Sequence, residues 1–140
     1  MKILLPVDGS AFTKKMLAYL TTHPELFGTG NTYTLLSVQQ PLPPRARAAV
    51  GSEIAQGFYA EEGEKVTAPV LKFLGQHGMA VKVIHKGGRA ADIIAQTATA
   101  GKVDPVVMGS PRHTAPGNLV MGSVATRVLA NCKTPVLLVR

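Results

Sequence analysis

Cysteine is almost absent from this sequence. Cys132 is the single cysteine among 140 residues, so no intramolecular disulfide can form. Such scarcity is typical of proteins that fold in a reducing compartment, and no cysteine-centred catalytic motif surrounds Cys132. A chain of this length buries about two-thirds of the surface that its unfolded form exposes. We therefore predict one domain over residues 1–140 that needs neither a disulfide nor a metal to fold.

Long hydrophobic runs are also missing. The first apolar run, Ile3 to Leu5, meets Pro6 and Asp8 almost at once. It is too short for a signal peptide, and no other run approaches the roughly 18 residues that a membrane span requires. The sequence therefore predicts a soluble, cytoplasmic protein without a membrane partner.

Acidic residues are few. Eight Asp and Glu stand against 15 Lys and Arg, which gives a net charge of +7. Such an excess attracts nucleic acid or phosphorylated ligands, or simply keeps a surface solvated. The basic residues are scattered, without an aromatic-interleaved RNA motif or a helix-turn-helix spacing. We therefore predict a basic surface without a specific nucleic-acid partner.

The motifs of common hydrolases are lacking too. The sequence contains no Walker A loop and no Gly-x-Ser-x-Gly elbow, and its four histidines stand in no metal-ligand spacing such as His-Glu-x-x-His. His113, which follows the fourth predicted strand, is interpreted as a solvated loop residue. No catalytic residue and no metal site is predicted.

What the sequence does contain is an alternation of apolar runs and helix-compatible stretches. Strand runs that are apolar at every position call for a parallel sheet covered on both faces. Right-handed crossovers then give a doubly wound α/β fold of five parallel strands in the order 3-2-1-4-5, with helices on both faces. The strands are predicted at 3–7, 32–38, 79–84, 105–108 and 135–139, and the helices at 10–20, 48–76, 90–100 and 123–131.

Two helices carry specific expectations about their buried faces. The apolar period of the second helix runs through Val50, Ile54, Phe58, Val66, Val70 and Leu74. Pro69 and the glycines at 51, 57 and 63 predict a kink or break in that helix. The fourth helix is expected to turn Val124, Val128 and Leu129 inward.

Ligands of doubly wound sheets bind beyond the carboxyl ends of the strands, where the strand order reverses. With strands one and four as central neighbours, that crevice is lined by residues 6–10 and by Met108 to Ser110. Asp8 can accept hydrogen bonds from ribose or adenine there, or it can cap the first helix. Gly122-Ser123 opens the fourth helix, so its amides favour an anion, although Gly-Ser is also an ordinary cap.

Several segments resemble the universal stress protein family. The first is Pro6-Val7-Asp8-Gly9-Ser10, and the others are Val106-Val107-Met108-Gly109-Ser110, the run from Gly117 to Ala125, and Pro135-Val136-Leu137-Leu138-Val139. The resemblance covers essentially the whole chain. It implies a stress-response regulatory protein that holds ATP or AMP between strands one and four and hydrolyses ATP slowly at most. No metal is predicted beyond magnesium that accompanies the nucleotide.

The resemblance also implies which residues bind. Pro6, Val7, Asp8 and Val38 would line the adenine and ribose pocket, and Gly109, Gly122, Ser123 and Val124 would meet the phosphates. The family's nucleotide-binding branch has a second glycine three residues after the first, and here that position is Arg112, preceded by Pro111. An arginine there either blocks the phosphate loop or pairs with the phosphates.

Assembly is the last expectation. The last strand, residues 135–139, is an edge strand in this family, and an exposed apolar edge invites pairing. We therefore expect a homodimer through this strand. The alternative to nucleotide binding is a nucleotide-free dimeric interaction protein whose phosphate loop is altered at Arg112.

Overall fold

A parallel sheet of five strands organises the computed structural model, which describes residues 1–110, the backbone of 113–115 and 118–120, and residues 122–140. All four strand pairings in this sheet are parallel. Along the chain the elements are β1 (Lys2–Val7), α1 (Ala11–Thr22), β2 (Thr32–Gln39), α2 (Pro44–Gln76), β3 (Val81–Gly87), α3 (Ala90–Ala100), β4 (Val106–Gly109), β5 (His113–Ala115), β6 (Asn118–Val120), α4 (Ser123–Asn131) and β7 (Val136–Val139).

The strand order is β3-β2-β1-β4-β7, so the predicted doubly wound sheet is confirmed, with β7 as its fifth strand. Two strands were not predicted. β5 and β6, which lie between β4 and α4 in the sequence, pair antiparallel as a separate two-stranded sheet. Strands of three residues are too short for hydrophobic alternation to reveal them.

Apolar side chains fill both faces of the sheet. One cluster packs β1 and β2 against α1 and α2, and it includes Leu5, Leu20 and Leu74. The other packs the opposite face against α3 and α4, and it includes Leu4, Ile94 and Val128. Burial on both faces explains why the strands are apolar at successive positions. None of the helices in the described ranges is both long and apolar enough to cross a membrane.

The first half of α2 corrects the prediction of its buried face. Val50, Ile54 and Phe58 are 37%, 63% and 42% exposed, whereas the later predicted residues Val70 and Leu74 are buried. The buried residues of this helix before Val70 are instead Ala55 and Tyr59 in its first half and Gly63 and Thr67 in its second half.

A close helix–sheet contact explains this shift. Gly63 lies so near β2 and β3 that a Cβ there would overlap Ser37 Oγ and His85 Nδ1. The helix therefore approaches the sheet along its small and polar side. The expected break occurs at Gly51, where φ is 82° and ψ is 168°, while Pro69 stays within the helix.

The prediction for α4 was right for Val128 and wrong for its neighbours. Val128 and Ala125 are buried, whereas Val124 is 37% and Leu129 is 42% exposed. Successive helix residues are about 100° apart, so Val124 and Leu129 each lie about 70° from the centre of the face that Ala125 and Val128 define. The buried face of this nine-residue helix is therefore narrower than expected.

Candidate functional site

A cavity of about 340 Å³ opens at the carboxyl ends of β1 and β4. The ends of β1, β2 and β4 form its floor, and the first turns of α1, α3 and α4 form its walls. Nine of the ten predicted site residues line this one cavity: Pro6, Val7, Asp8, Val38, Met108, Gly109, Gly122, Ser123 and Val124. The structure thus brings them together, and their roles in binding stay predictions.

The tenth predicted residue is Arg112. It lies outside the described residues, as does Pro111 before it. The two roles considered for Arg112, blocking the phosphate loop or pairing with the phosphates, stay predictions.

Asp8 closes the turn between β1 and α1. Its Oδ1 accepts hydrogen bonds from the Ser10 amide and the Thr13 hydroxyl, each at 2.9 Å. In return, the Asp8 amide donates to Thr13 Oγ1 at 3.2 Å. Both side-chain bonds use the same carboxylate oxygen. Within the described part of the chain, Oδ2 has no hydrogen-bond partner, so Asp8 can hold the turn and still accept from a ligand.

The same contacts determine the charge of Asp8. Partial burial alone would raise the pKa of this carboxyl, but the hydrogen bonds from Ser10 and Thr13 outweigh it and hold the pKa below its usual 3.8. Asp8 is therefore an anion at neutral pH. Within the described lining it is the one charged side chain of the cavity.

The lowered pKa of Asp8 has a consequence for acid stability. A carboxyl whose pKa is lower in the folded state stabilises the fold above its unfolded pKa near 3.8, and this contribution is lost as the pH falls through the folded value. We expect the acid unfolding of Asp8→Asn to depend less on pH below about 4 than that of the wild type. Circular dichroism between pH 5 and pH 2 would measure it, and parallel curves would contradict the expectation.

Ser10, which the sequence placed in the crevice without assigning it a binding role, lines the cavity. It stands at the N-cap position of α1 but makes no side-chain cap hydrogen bond. Its Oγ is buried and makes no hydrogen bond of good geometry among the described residues, although the hydroxyl is near enough to the Asp8 carboxylate to help lower the pKa of that group. A buried hydroxyl with so weak a partner suits a site that a polar ligand or a water completes.

The lining residues that the sequence did not predict are apolar or small. Leu36 and Ile94 extend the wall that Val38 begins, and Phe12 lies at the start of α1. Thr13, Ala90 and Ala125 complete the lining. In the sequence these residues follow the helix and strand periods of the core, so no pattern separates lining residues from core residues.

The start of α4 offers backbone donors. Gly122 occupies the N-cap position with φ of 94°, a value that favours glycine, and no side-chain cap bond is made there. Its carbonyl accepts from the amide and hydroxyl of Thr126, at 3.1 and 2.8 Å. Ser123 is thus the first helical residue and not the cap. The first-turn residues Ser123 and Val124 line the cavity, so their amides are placed to bind an anion.

A close contact with α1, which the sequence did not reveal, explains why position 109 is a glycine. A Cβ at this position would overlap the Phe12 carbonyl oxygen and come within 2.9 Å of Phe12 Cβ. The end of β4 therefore lies directly against the first turn of α1. This contact alone accounts for a glycine at position 109, whether or not a ligand approaches it.

Taken together, the cavity suits a ligand with three different parts. Its apolar walls fit a flat ring, Asp8 fits hydroxyl or amino donors, and the α4 amides fit an anion. No group of three His, Cys, Asp or Glu side chains in the described ranges is arranged to hold a metal ion.

Known proteins of similar sequence and structure share a family. A model of the universal stress protein family matches residues 1–140. A universal stress protein of Thermus aquaticus is 31% identical over 138 residues, which cover 99% of this chain and 97% of the relative.

Two solved structures share the fold at lower identity. A family protein of Arabidopsis thaliana with AMP bound has a TM-score of 0.67 and 18% identity, covering 99% of this chain and 90% of the other. The universal stress protein of Archaeoglobus fulgidus in complex with dAMP has a TM-score of 0.64 and 18% identity, covering 100% and 98%. The fold and the family match agree, and this chain belongs to the universal stress protein family.

Proposed function

We propose that this domain of residues 1–140 is a regulatory protein of the stress response that binds an adenine nucleotide, ATP or AMP, in the cavity between β1 and β4. One observation supports the proposal above the others: Asp8 and the uncapped start of α4 line the same apolar-walled cavity. The AMP and dAMP complexes of the two structural neighbours support the same ligand class.

The proposed pose follows from the chemistry of the walls. The adenine ring packs against Val38, Leu36 and Ile94, because these side chains supply apolar surface. Asp8 accepts from the ribose hydroxyls. The phosphates meet the amides of Ser123 and Val124, where the helix N-terminus carries partial positive charge. In this pose the protein holds the nucleotide without an assigned catalytic group.

Asp8→Asn tests the pose without disturbing the turn, because an amide oxygen still accepts from Ser10 and Thr13. We expect adenosine and AMP affinities to fall about tenfold, or about 1.4 kcal/mol, since a charge-assisted hydrogen bond is lost. Isothermal titration calorimetry measures the effect. Glu25→Gln, an exposed change of the same kind beyond the end of α1, is the matched control.

Two results would contradict the proposal in different ways. Equal affinities for wild type and Asp8→Asn would show that Asp8 does not bind the ribose and serves only to stabilise the turn. A wild type that binds neither adenosine, AMP nor ATP would favour the alternative, a nucleotide-free interaction protein with a phosphate loop altered at Arg112.

We also propose that the protein is a homodimer through β7, because the two sheet edges differ. At the β3 edge, Gln56 Nε2 donates to the His85 carbonyl at 2.9 Å, and Lys82 and Lys86 are exposed. Capped carbonyls and lysines discourage strand pairing. β7 consists of Val136 to Val139 and carries no charged side chain. β7 is therefore the edge better suited to pairing.

The hydrogen bonds to β4 show which groups of β7 remain for a partner. Val106 donates to the Pro135 carbonyl and Ser110 to the Val139 carbonyl, each at 2.9 Å. Backbone groups alternate in direction along a strand, so those of Val136 and Leu138 point away from β4. A two-fold axis at Leu137 pairs Val136 of each protomer with Leu138 of its partner.

Leu138→Pro should therefore separate the dimer, because it removes an outward N–H without removing a bond to β4. Leu138→Ala is the control, since it loses the same packing and keeps the N–H. We expect size-exclusion chromatography with light scattering to give the mass of one chain for the proline variant and of two for the wild type and the alanine variant. A monomeric wild type at micromolar concentration would contradict the proposed assembly.

A further inference from the structure

The charge of the cavity poses a problem for a phosphorylated ligand. Among the described lining residues the one ionised side chain is Asp8, which is an anion. The α4 N-terminus contributes about half a positive charge, which is little against a triphosphate. A cation beside the cavity would balance the additional phosphates.

Phe12 marks the wall of the cavity where such a cation would act. Its ring lines the cavity and is half-buried. Its backbone carbonyl abuts Gly109 at the end of β4. Gly109, Gly122 and Ser123 belong to the same cavity, on the side assigned to the phosphates. Phe12 therefore stands at the phosphate side and not beside Val38.

Lys15 lies over this ring. Its Nζ is 6.0 Å from the centroid of the Phe12 ring. The two residues are three apart in α1, so they share a face, and side chains on a helix lean toward its N-terminus. That lean carries the Lys15 ammonium toward the cavity mouth.

Within the described part of the chain, the Lys15 ammonium has no competing ion pair or hydrogen bond. Its side chain is exposed, and the one ion pair found there joins Lys65 to Glu62. A cation–π contact at 6.0 Å is at the outer limit of that interaction, so it is weak at an exposed site. The ammonium is therefore free to leave the ring for a stronger anion.

Lys14 provides an internal comparison. It is also exposed, but it is two residues from Phe12 and so points about 200° around the helix from it. The adjacent lysines thus have the same charge and nearly the same position along α1, yet Lys15 lies over the Phe12 ring and Lys14 is on another side of the helix.

We propose that Lys15 binds the phosphate chain of the nucleotide and makes the site prefer ATP over AMP and adenosine. This inference rests on the proposed nucleotide site. When the nucleotide binds, the ammonium moves from the Phe12 ring toward the β- and γ-phosphates. The attraction is partly solvent-exposed, so added salt weakens it.

The test compares Lys15→Met with Lys14→Met, which remove the same charge from positions about 100° apart around α1. Calorimetry with adenosine, AMP and ATP is expected to show a tenfold loss of ATP affinity in Lys15→Met, with adenosine unchanged. Lys14→Met should leave all three affinities within twofold. The salt dependence of ATP binding should also become shallower in Lys15→Met alone.

Four outcomes would overturn the assignment of Lys15. Equal losses of ATP affinity in the two variants would indicate only the general effect of net charge. Unchanged ATP affinity in Lys15→Met, with adenosine still bound, would remove Lys15 and leave the nucleotide site intact. Arg89 precedes Ala90, a lining residue on α3. If Arg89→Met loses ATP affinity and Lys15→Met does not, then the cation that binds the phosphates is Arg89 and not Lys15. A wild type that binds no nucleoside would refute the site and Lys15 together.

Discussion

Replacing Gly109 by alanine is expected to lower the free energy of unfolding by about 3 kcal/mol, the upper part of the range for overpacked positions. The added Cβ would overlap the Phe12 carbonyl oxygen and lie 2.6 Å from the Phe12 carbonyl carbon. These are backbone atoms at the start of α1, so they cannot move aside as the end of a flexible side chain does. Either β4 or the first turn of α1 has to shift.

Chemical denaturation of wild type and Gly109→Ala measures this loss. Gly30→Ala is the control, because nothing lies within 4 Å of a Cβ at that position. If Gly109→Ala keeps the wild-type stability and loses only nucleotide affinity, then the glycine serves the ligand and the contact with Phe12 is incidental.

Gly63→Ala is expected to have an effect of similar size for a different reason. Ser37 is fully buried, and its Oγ is hydrogen-bonded to His85 Nδ1 at 2.7 Å. A Cβ at Gly63 would overlap both atoms of this bond. The variant must therefore break a buried polar contact or move α2 away from the sheet, at a cost of about 2 to 3 kcal/mol.

Gly57 supplies the matched control within the same helix. It is exposed, and nothing lies within 4 Å of the place that an added Cβ would take. Gly57→Ala should stabilise the protein by about 0.5 to 1 kcal/mol, because alanine is the better helix former. Thermal unfolding of both variants tests the pair. A destabilised Gly57→Ala, or an unchanged Gly63→Ala, would contradict the described approach of α2 to the sheet.

Sheet topology could be predicted from the sequence because burial on both faces leaves a strong pattern. The strands around Leu4, Leu35 and Val107 are apolar at successive positions, and the helices between them require crossovers. The buried face of α2 could not be predicted in the same way. Gly63 and Thr67 face the sheet because of a contact with β2 and β3, and hydrophobicity does not report contacts made by small residues.

In the candidate site, too, some residues could be predicted from the sequence and others could not. Asp8, Gly122 and Ser123 could be predicted because strand ends and helix starts are marked by turn residues and by the family resemblance. Phe12 could not, since a half-buried aromatic is an ordinary feature of a first helical turn. Its importance depends on its contact with the end of β4, which is about a hundred residues away in the sequence.

The unequal edges of the sheet would also limit how far copies of this protein associate through the proposed dimer. A sheet that is bare at both sides can be extended without end, which is the geometry of a fibre. Here the Gln56 side chain donates to a carbonyl of β3, and Lys82 and Lys86 of the same strand are exposed. In the proposed dimer, pairing of β7 with β7 would use the bare edge of each copy, so a third copy would find no free strand on which to continue.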